Sequence, residues 1–391
     1  MENRRTDRQG FFHSFDAMAV FSGQRSSWRC CCCCVILSLF IGLLCALRPE
    51  LLFLLVTLSF DMLPRGDRPS ATEGVACEVV HVPTLRAMVP QNRAARLCWP
   101  SDGRNYPLHI VAHADYSGGN VAARYEPYQE RLASYGLVVA MYYSCEITPW
   151  HCASGQLVFL EVLKLLTFLE RHTGSWRIDR AANYSASGHS TGGRAMLMLA
   201  ALRDAPEYLA GTPTVSLLTA VQSASLRRLS AVIVHHGDDV HDLACNPDVA
   251  RFDVSETAVL VVTGSRDTIE PPMTGWRNFV SLRTPNKIFV DLHNTTHDSI
   301  ADVRLVAQLV PFYHAFVRRY AVGDQSAADL VYGAGPNAMR QSLTIATGDD
   351  AEQGDHKVGF VACRSGGEAM PTEYASYCTP ERVELRHWGC E

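Results

Sequence analysis

Short, nearly continuous apolar runs alternate with longer stretches of helical spacing through the middle of the chain. Leu108 to His113, Gly136 to Tyr143, Ala182 to Ala186, Ser230 to Val234, Ala258 to Thr263 and Lys287 to Leu292 are, for the most part, rich in Val, Ile and Leu at consecutive positions. A strand with one wet face alternates apolar and polar residues, so continuous runs of this length predict strands covered on both sides, as in a parallel sheet. Between them, Gly155 to His172 reads as a helix with Glu161 and Lys164 one turn apart on its polar side. Arg194 to Arg203 reads as a second helix and Ala301 to Tyr320 as a third. Strands alternating with helices predict an α/β fold, a mostly parallel central sheet flanked by helices.

The two ends have a different pattern. Residues 1–29 are polar and hold Arg4, Arg5, Arg8, Arg25 and Arg29 against only Glu2, Asp7 and Asp16. An uncharged run from Cys30 to Leu47 follows, about the minimum that crosses a bilayer, and then a second apolar run from Leu51 to Phe60. The arginines predict a cytosolic flank and a translocated remainder. Residues 30–63 are therefore expected to be a retained single-pass anchor; a cleaved signal segment is the competing reading, and plastid targeting is a third. The five cysteines Cys30 to Cys34 are either palmitoylation sites or a low-complexity apolar run. A polar linker, 64–74, leads into a catalytic domain over 75–320, and a Gly-rich extension over 321–391 shows only a short strand-like run at Lys357 to Ala362.

Composition narrows the classes. The 391 residues are 47% hydrophobic and 19% charged, which excludes global disorder, and a net charge of -5 with no basic stripe argues against nucleic acid as a partner. Of the 14 cysteines, those from Cys77 onward are even in number and include no C-x-x-C pair. That fits disulfides in an oxidising compartment better than zinc, with the pairing left open.

The chemistry centres on Gly188-His189-Ser190-Thr191-Gly192, which follows a strand-like run and opens a helix-like one. A sharp strand-to-helix turn needs glycines beside it and lifts the serine hydroxyl above the sheet. A serine hydroxyl becomes a useful nucleophile only when a histidine takes its proton and a carboxylate orients that histidine. Asp267 stands just beyond the run Ala258 to Thr263, and His297 beyond Lys287 to Leu292, so both fall on loops at the sheet edge that carries Ser190. Asp239, in the cluster His235 to Asp242, is a rival acid, and His293 a rival base. The same cluster has a metal-like composition, but no helical H-x-x-x-H or other ligand spacing supports it, and neither metal nor organic cofactor is expected.

With those residues in place, the chain resembles the cutinase and polyester-hydrolase branch of the α/β-hydrolases, near the dienelactone-hydrolase, chlorophyllase and platelet-activating-factor acetylhydrolase groups. The resemblance spans about Pro107 to Tyr320 through the blocks HADYSGG, YEPYQERLASYGLVVAMYYS, GHSTGG, GSRDTIEPP and KIFVDLHNTTH. It implies Ser190 as nucleophile, Asp267 as acid and His297 as base. It also implies backbone N–H groups of Tyr116 and Thr191 as the oxyanion hole, with the Tyr116 ring toward the substrate. His189, beside the serine, is a further substrate-side candidate, with local packing or hydrogen bonding as the structural reading. The expected activity is hydrolysis of a small-molecule or lipid-like carboxylic ester; chlorophyllase-like hydrolysis, acyl transfer to an alcohol, and a catalytically silent scaffold are the alternatives.

Overall fold

The computed structural model describes residues 72–83, 94–114, 121–142, 158–172, 176–206, 224–240, 253–333, 335–339 and 360–365. The predicted flank and apolar anchor, Tyr116, and the cysteines other than Cys77, Cys98 and Cys363 lie outside these residues. Among the described residues no helix is long and apolar enough to cross a membrane.

All six apolar runs form strands, and three more complete a 9-stranded sheet. The strands are β1 (Val75–His81), β2 (Ala94–Pro100), β3 (Leu108–Ala112), β4 (Val138–Tyr142), β5 (Tyr184–His189), β6 (Leu229–His235), β7 (Ala258–Gly264), β8 (Lys287–Leu292) and β9 (Phe360–Ala362). Their spatial order is β1-β2-β4-β3-β5-β6-β7-β8-β9. The block from β4 through β3 to β8 is parallel, whereas β1 and β2 join one side of it antiparallel and β9 the other. From β3 the chain steps to β4 on one side; from β5 it steps to β6 on the other. The crevice beyond the carboxyl ends of β3 and β5 is therefore the topological switch point, where open α/β sheets take their ligands.

The helices are α1 (Val121–Ser134), α2 (Val158–Arg171), α3 (Thr191–Asp204), α4 (Pro272–Ser281), α5 (Val303–Val317) and the single-turn α6 (Ala328–Tyr332). Successive strand residues feed opposite cores. Val259 and Val261 pack with α2, α3 and α4, while Leu260 and Val262 pack with α1 and α5. Burial on both faces is why these strands lack the alternation of a half-exposed sheet.

Three features escaped the sequence pattern. Helix α1 contains Pro127, which breaks the helical signature although packing of Tyr125, Tyr128 and Leu132 holds the helix on the sheet. Strands β1 and β2 have mixed polarity and are joined by the Cys77–Cys98 disulfide. The described residues of the C-terminal extension pack on the same core, a placement the pattern did not give. Helix α5 continues into a π-turn at Arg318–Val322, Val331 and Tyr332 are buried, and β9 pairs with β8 through Phe289 and Val361. A sheet edge leaves a row of unpaired N–H and C=O groups, and β9 covers the one that β8 would present.

Candidate active site

Ser190 occupies the one-residue turn between β5 and α3, with φ 55° and ψ −125°. Such a backbone costs a non-glycine residue about 1–3 kcal/mol and persists only where the surroundings impose it. Here they do. The Ser190 N–H donates to the His235 carbonyl at 3.1 Å, and the Ser190 carbonyl accepts from Asp238 N–H at 3.3 Å and Arg194 N–H at 3.1 Å. The flanking glycines are dictated by space. A Cβ on Gly188 would lie 2.1 Å from the Gly192 carbonyl oxygen, and one on Gly192 would lie 2.4 Å from the Ala112 carbonyl oxygen.

Asp267 follows β7 and His297 opens the 3-10 turn His297–Ala301 beyond β8, so acid and base meet at the edge that carries Ser190. His297 Nδ1–H donates to Asp267 Oδ2 at 2.8 Å. The other oxygen, Oδ1, accepts the N–H groups of Ile269 and Glu270, both at 2.9 Å. Burial raises the pKa of Asp267, but the histidine and backbone donors overcome it and hold the carboxyl well below the usual range. For His297, burial lowers the pKa; its bond to Asp267 and the charges of Asp267, Glu270 and Asp298 outweigh that and leave it above its ordinary 6.5. With Nδ1 committed to Asp267, neutral His297 has Nε2 free of a proton, as a general base requires.

The Ser190 hydroxyl donates to Asp238 Oδ1 at 3.2 Å rather than to His297. Asp238 Oδ2 in turn pairs with Arg194 NH2 at 3.1 Å. Burial raises the Asp238 pKa against the pull of Arg194 and Ser190, and burial with the Asp238 charge pushes Glu270 up to about 7. Asp238 and Arg194 thus place an ion pair beside Ser190, and Glu270 feels the charge of Asp238. The sequence pattern gave none of the three a role, because Asp238 in the cluster past β6 and Glu270 in the loop past β7 carry no local signature of one.

One expected role changes. His189 was expected to face the substrate, but it is 2% exposed and bonded at both ring nitrogens: Nε2–H donates to the His297 carbonyl at 2.8 Å, and Nδ1 accepts from Tyr125 OH at 2.7 Å. It fastens the turn that carries His297. The rival acid Asp239 pairs with Arg277 at 2.7 Å, and the rival base His293 is exposed while His297 is buried. Thr191 is the first residue of α3, the turn whose backbone amides lack intrahelical acceptors. Tyr116, the other expected donor, lies outside the described residues.

A second histidine shares the acid. His236 Nδ1 lies 2.7 Å from Asp267 Oδ2, so His236, Asp267 and His297 bring three potential ligand atoms within 4.8 Å of one another. The spacings are those of N–H donors on a carboxylate, and both nitrogens address the same oxygen. A cation would have to displace both protons, so the set fits a hydrogen-bonded trio better than a metal centre. No family model matches the chain, and no curated protein matches it; the functional reading therefore rests on these residues.

Proposed function

We propose that the protein is a serine-dependent carboxylic ester hydrolase of the α/β-hydrolase fold, acting through an acyl-enzyme. The observation that carries this reading is the 2.8 Å Nδ1–Oδ2 bond between His297 and Asp267, made at the sheet edge where Ser190 stands on its strained turn. The order Ser190, Asp267, His297 along the chain supports the fold assignment.

Substrate binding turns the Ser190 hydroxyl from Asp238 toward His297 Nε2. The ring takes the proton as Oγ attacks the ester carbonyl, and Asp267 stabilises the imidazolium. The Thr191 N–H, with a second backbone donor from the loop after β3, receives the developing oxyanion. His297 then protonates the departing alcohol, deprotonates a water that attacks the acyl-enzyme, and returns the proton to Ser190 as the acid leaves.

Ile269 and Met273, exposed beside Asp267, favour an ester with an apolar portion. The arginine-flanked apolar segment at 30–63 extends this proposal to a membrane-tethered enzyme acting on amphiphilic esters. A fluorophosphonate probe and a short-chain p-nitrophenyl ester test the reading. Labelling and turnover are expected for wild type and absent for Ser190→Ala, whereas folded wild type that neither labels nor turns over would overturn it.

A further inference from the structure

We propose that His236 is a positioning residue for Asp267, the last donor in a buried hydrogen-bond chain that starts at Tyr313. Its catalytic consequence rests on the hydrolase reading above; its existence rests on geometry. Tyr313 OH lies 2.6 Å from His235 Nδ1, His235 Nε2 lies 3.0 Å from Ser299 Oγ, and Ser299 Oγ lies 2.8 Å from His236 Nε2. His236 Nδ1 then meets Asp267 Oδ2 at 2.7 Å. All five side chains are buried.

The direction of every proton follows from the end of the chain. A carboxylate accepts only, so His236 carries its proton on Nδ1. Burial lowers the pKa of His236 and His235 and keeps each ring neutral with a single proton. His236 Nε2 must then accept, and Ser299 donates to it. Ser299 accepts from His235 Nε2–H, and His235 Nδ1 accepts from Tyr313. Each donor polarises the next toward Asp267.

The chain links the end of β6, helix α5 and the turn that bears His297, since Ser299 lies in that same turn. Asp267 Oδ2 divides its charge between two N–H donors. His236 thereby prevents the carboxylate from rotating away and tempers the basicity that Asp267 confers on His297. His236 also has φ 48°, a left-handed conformation uncommon in a non-glycine residue and held here by the surrounding bonds.

The test compares His236→Phe, which removes the donor, with His236→Asn, whose amide N–H falls near the Nδ1 position and which tolerates positive φ. Ser299→Ala breaks the chain one link earlier and covers the case in which His236→Phe does not fold. The charged and titratable groups facing His236 are Asp267, His297, His235, His189 and Asp298, so the acid limb of kcat/KM reports on His297. In His236→Phe, kcat is expected to fall about 10- to 100-fold with KM little changed. The acid limb is expected to rise by roughly half a pH unit as Asp267 turns its full charge on His297. His236→Asn restores most of both, and Ser299→Ala moves the limb the same way by less. Low-field proton NMR of the full chain reads the bonds directly: two N–H resonances bonded to Asp267 in wild type, one in His236→Phe. An unmoved limb in both His236→Phe and Ser299→Ala, or equal loss in His236→Asn and His236→Phe, would overturn the positioning role. Two low-field resonances in a wild type without esterase activity would retain the chain and sink the hydrolase reading instead.

Discussion

The hydroxyl of Ser190 donates to Asp238 Oδ1 across 3.2 Å, and the same carboxylate holds the buried Arg194 guanidinium with its other oxygen. One side chain thus holds the Ser190 hydroxyl and neutralises Arg194 in the first turn of α3. Removing one partner of a buried pair strands the other, at a cost of about 3 kcal/mol. Asp238→Asn is accordingly expected to lower the urea midpoint at unchanged m-value. An unchanged midpoint would show that Arg194 finds another counter-charge.

The pH profile follows from the groups around the base. His297 acts only when neutral, and its pKa lies above 6.5, so the acid limb of kcat/KM is expected above pH 6.5. Glu270 adds to that elevation when ionised and itself titrates near 7. Glu270→Gln is therefore expected to move the limb to lower pH with kcat retained; a limb that stays in place would remove Glu270 from the electrostatics of the base. For stability the signs are opposite. The raised His297 contributes stability that is full below 6.5 and lost as pH rises through its folded pKa, while the depressed Asp267 contributes stability that is lost as pH falls below 3.8.

At the nucleophile turn, Gly192→Ala would place a methyl 2.4 Å from the Ala112 carbonyl oxygen, and backbone on both sides must move to admit it. Overpacking of this kind costs about 3 kcal/mol. Loss of probe labelling together with a lower melting temperature is the expected result, and a variant with wild-type stability and labelling would contradict the close approach.

Treatment with a chelator is expected to leave esterase activity intact, because the proposed reaction uses protons and backbone donors at each step. Activity that disappears with chelation and returns with zinc would reassign His236, Asp267 and His297, whose ligand atoms lie within 4.8 Å, as a metal centre.

The Cys77–Cys98 disulfide ties β1 to β2 at a sequence separation of 21, so its loss relaxes the unfolded chain by about 3 kcal/mol of loop entropy. Cys77→Ala with Cys98→Ala is expected to lower the melting temperature by several degrees while the triad stays active at 25 °C. Equal stability of the variant would mean that the β1–β2 hairpin stands without its link.

Continuous apolar runs were enough to locate the six parallel strands, because a strand buried on both faces writes its burial into every residue. The Ser190 turn was legible for a similar reason: the glycines around it answer a crowding of backbone against backbone at the turn itself. Asp267 and His297 could be placed by their position just past strand ends. Helix α1 was hidden by Pro127, and β1 and β2 by their mixed patterns, which only pairing with neighbours stabilises; β9 showed as the short strand-like run ending at Ala362. His236, Asp238, Ser299 and Tyr313 carry no local mark of what they do. Their roles arise from contacts between β6, the His297 turn and α5, segments separated by tens of residues, and hydrogen-bond direction among buried groups exists only once the chain has brought those segments together. Sequence alone determined the six parallel strands and the order of Ser190, Asp267 and His297 along them; tertiary structure decided which carboxylate bonds His297, which accepts the Ser190 hydroxyl, and which second histidine shares Asp267.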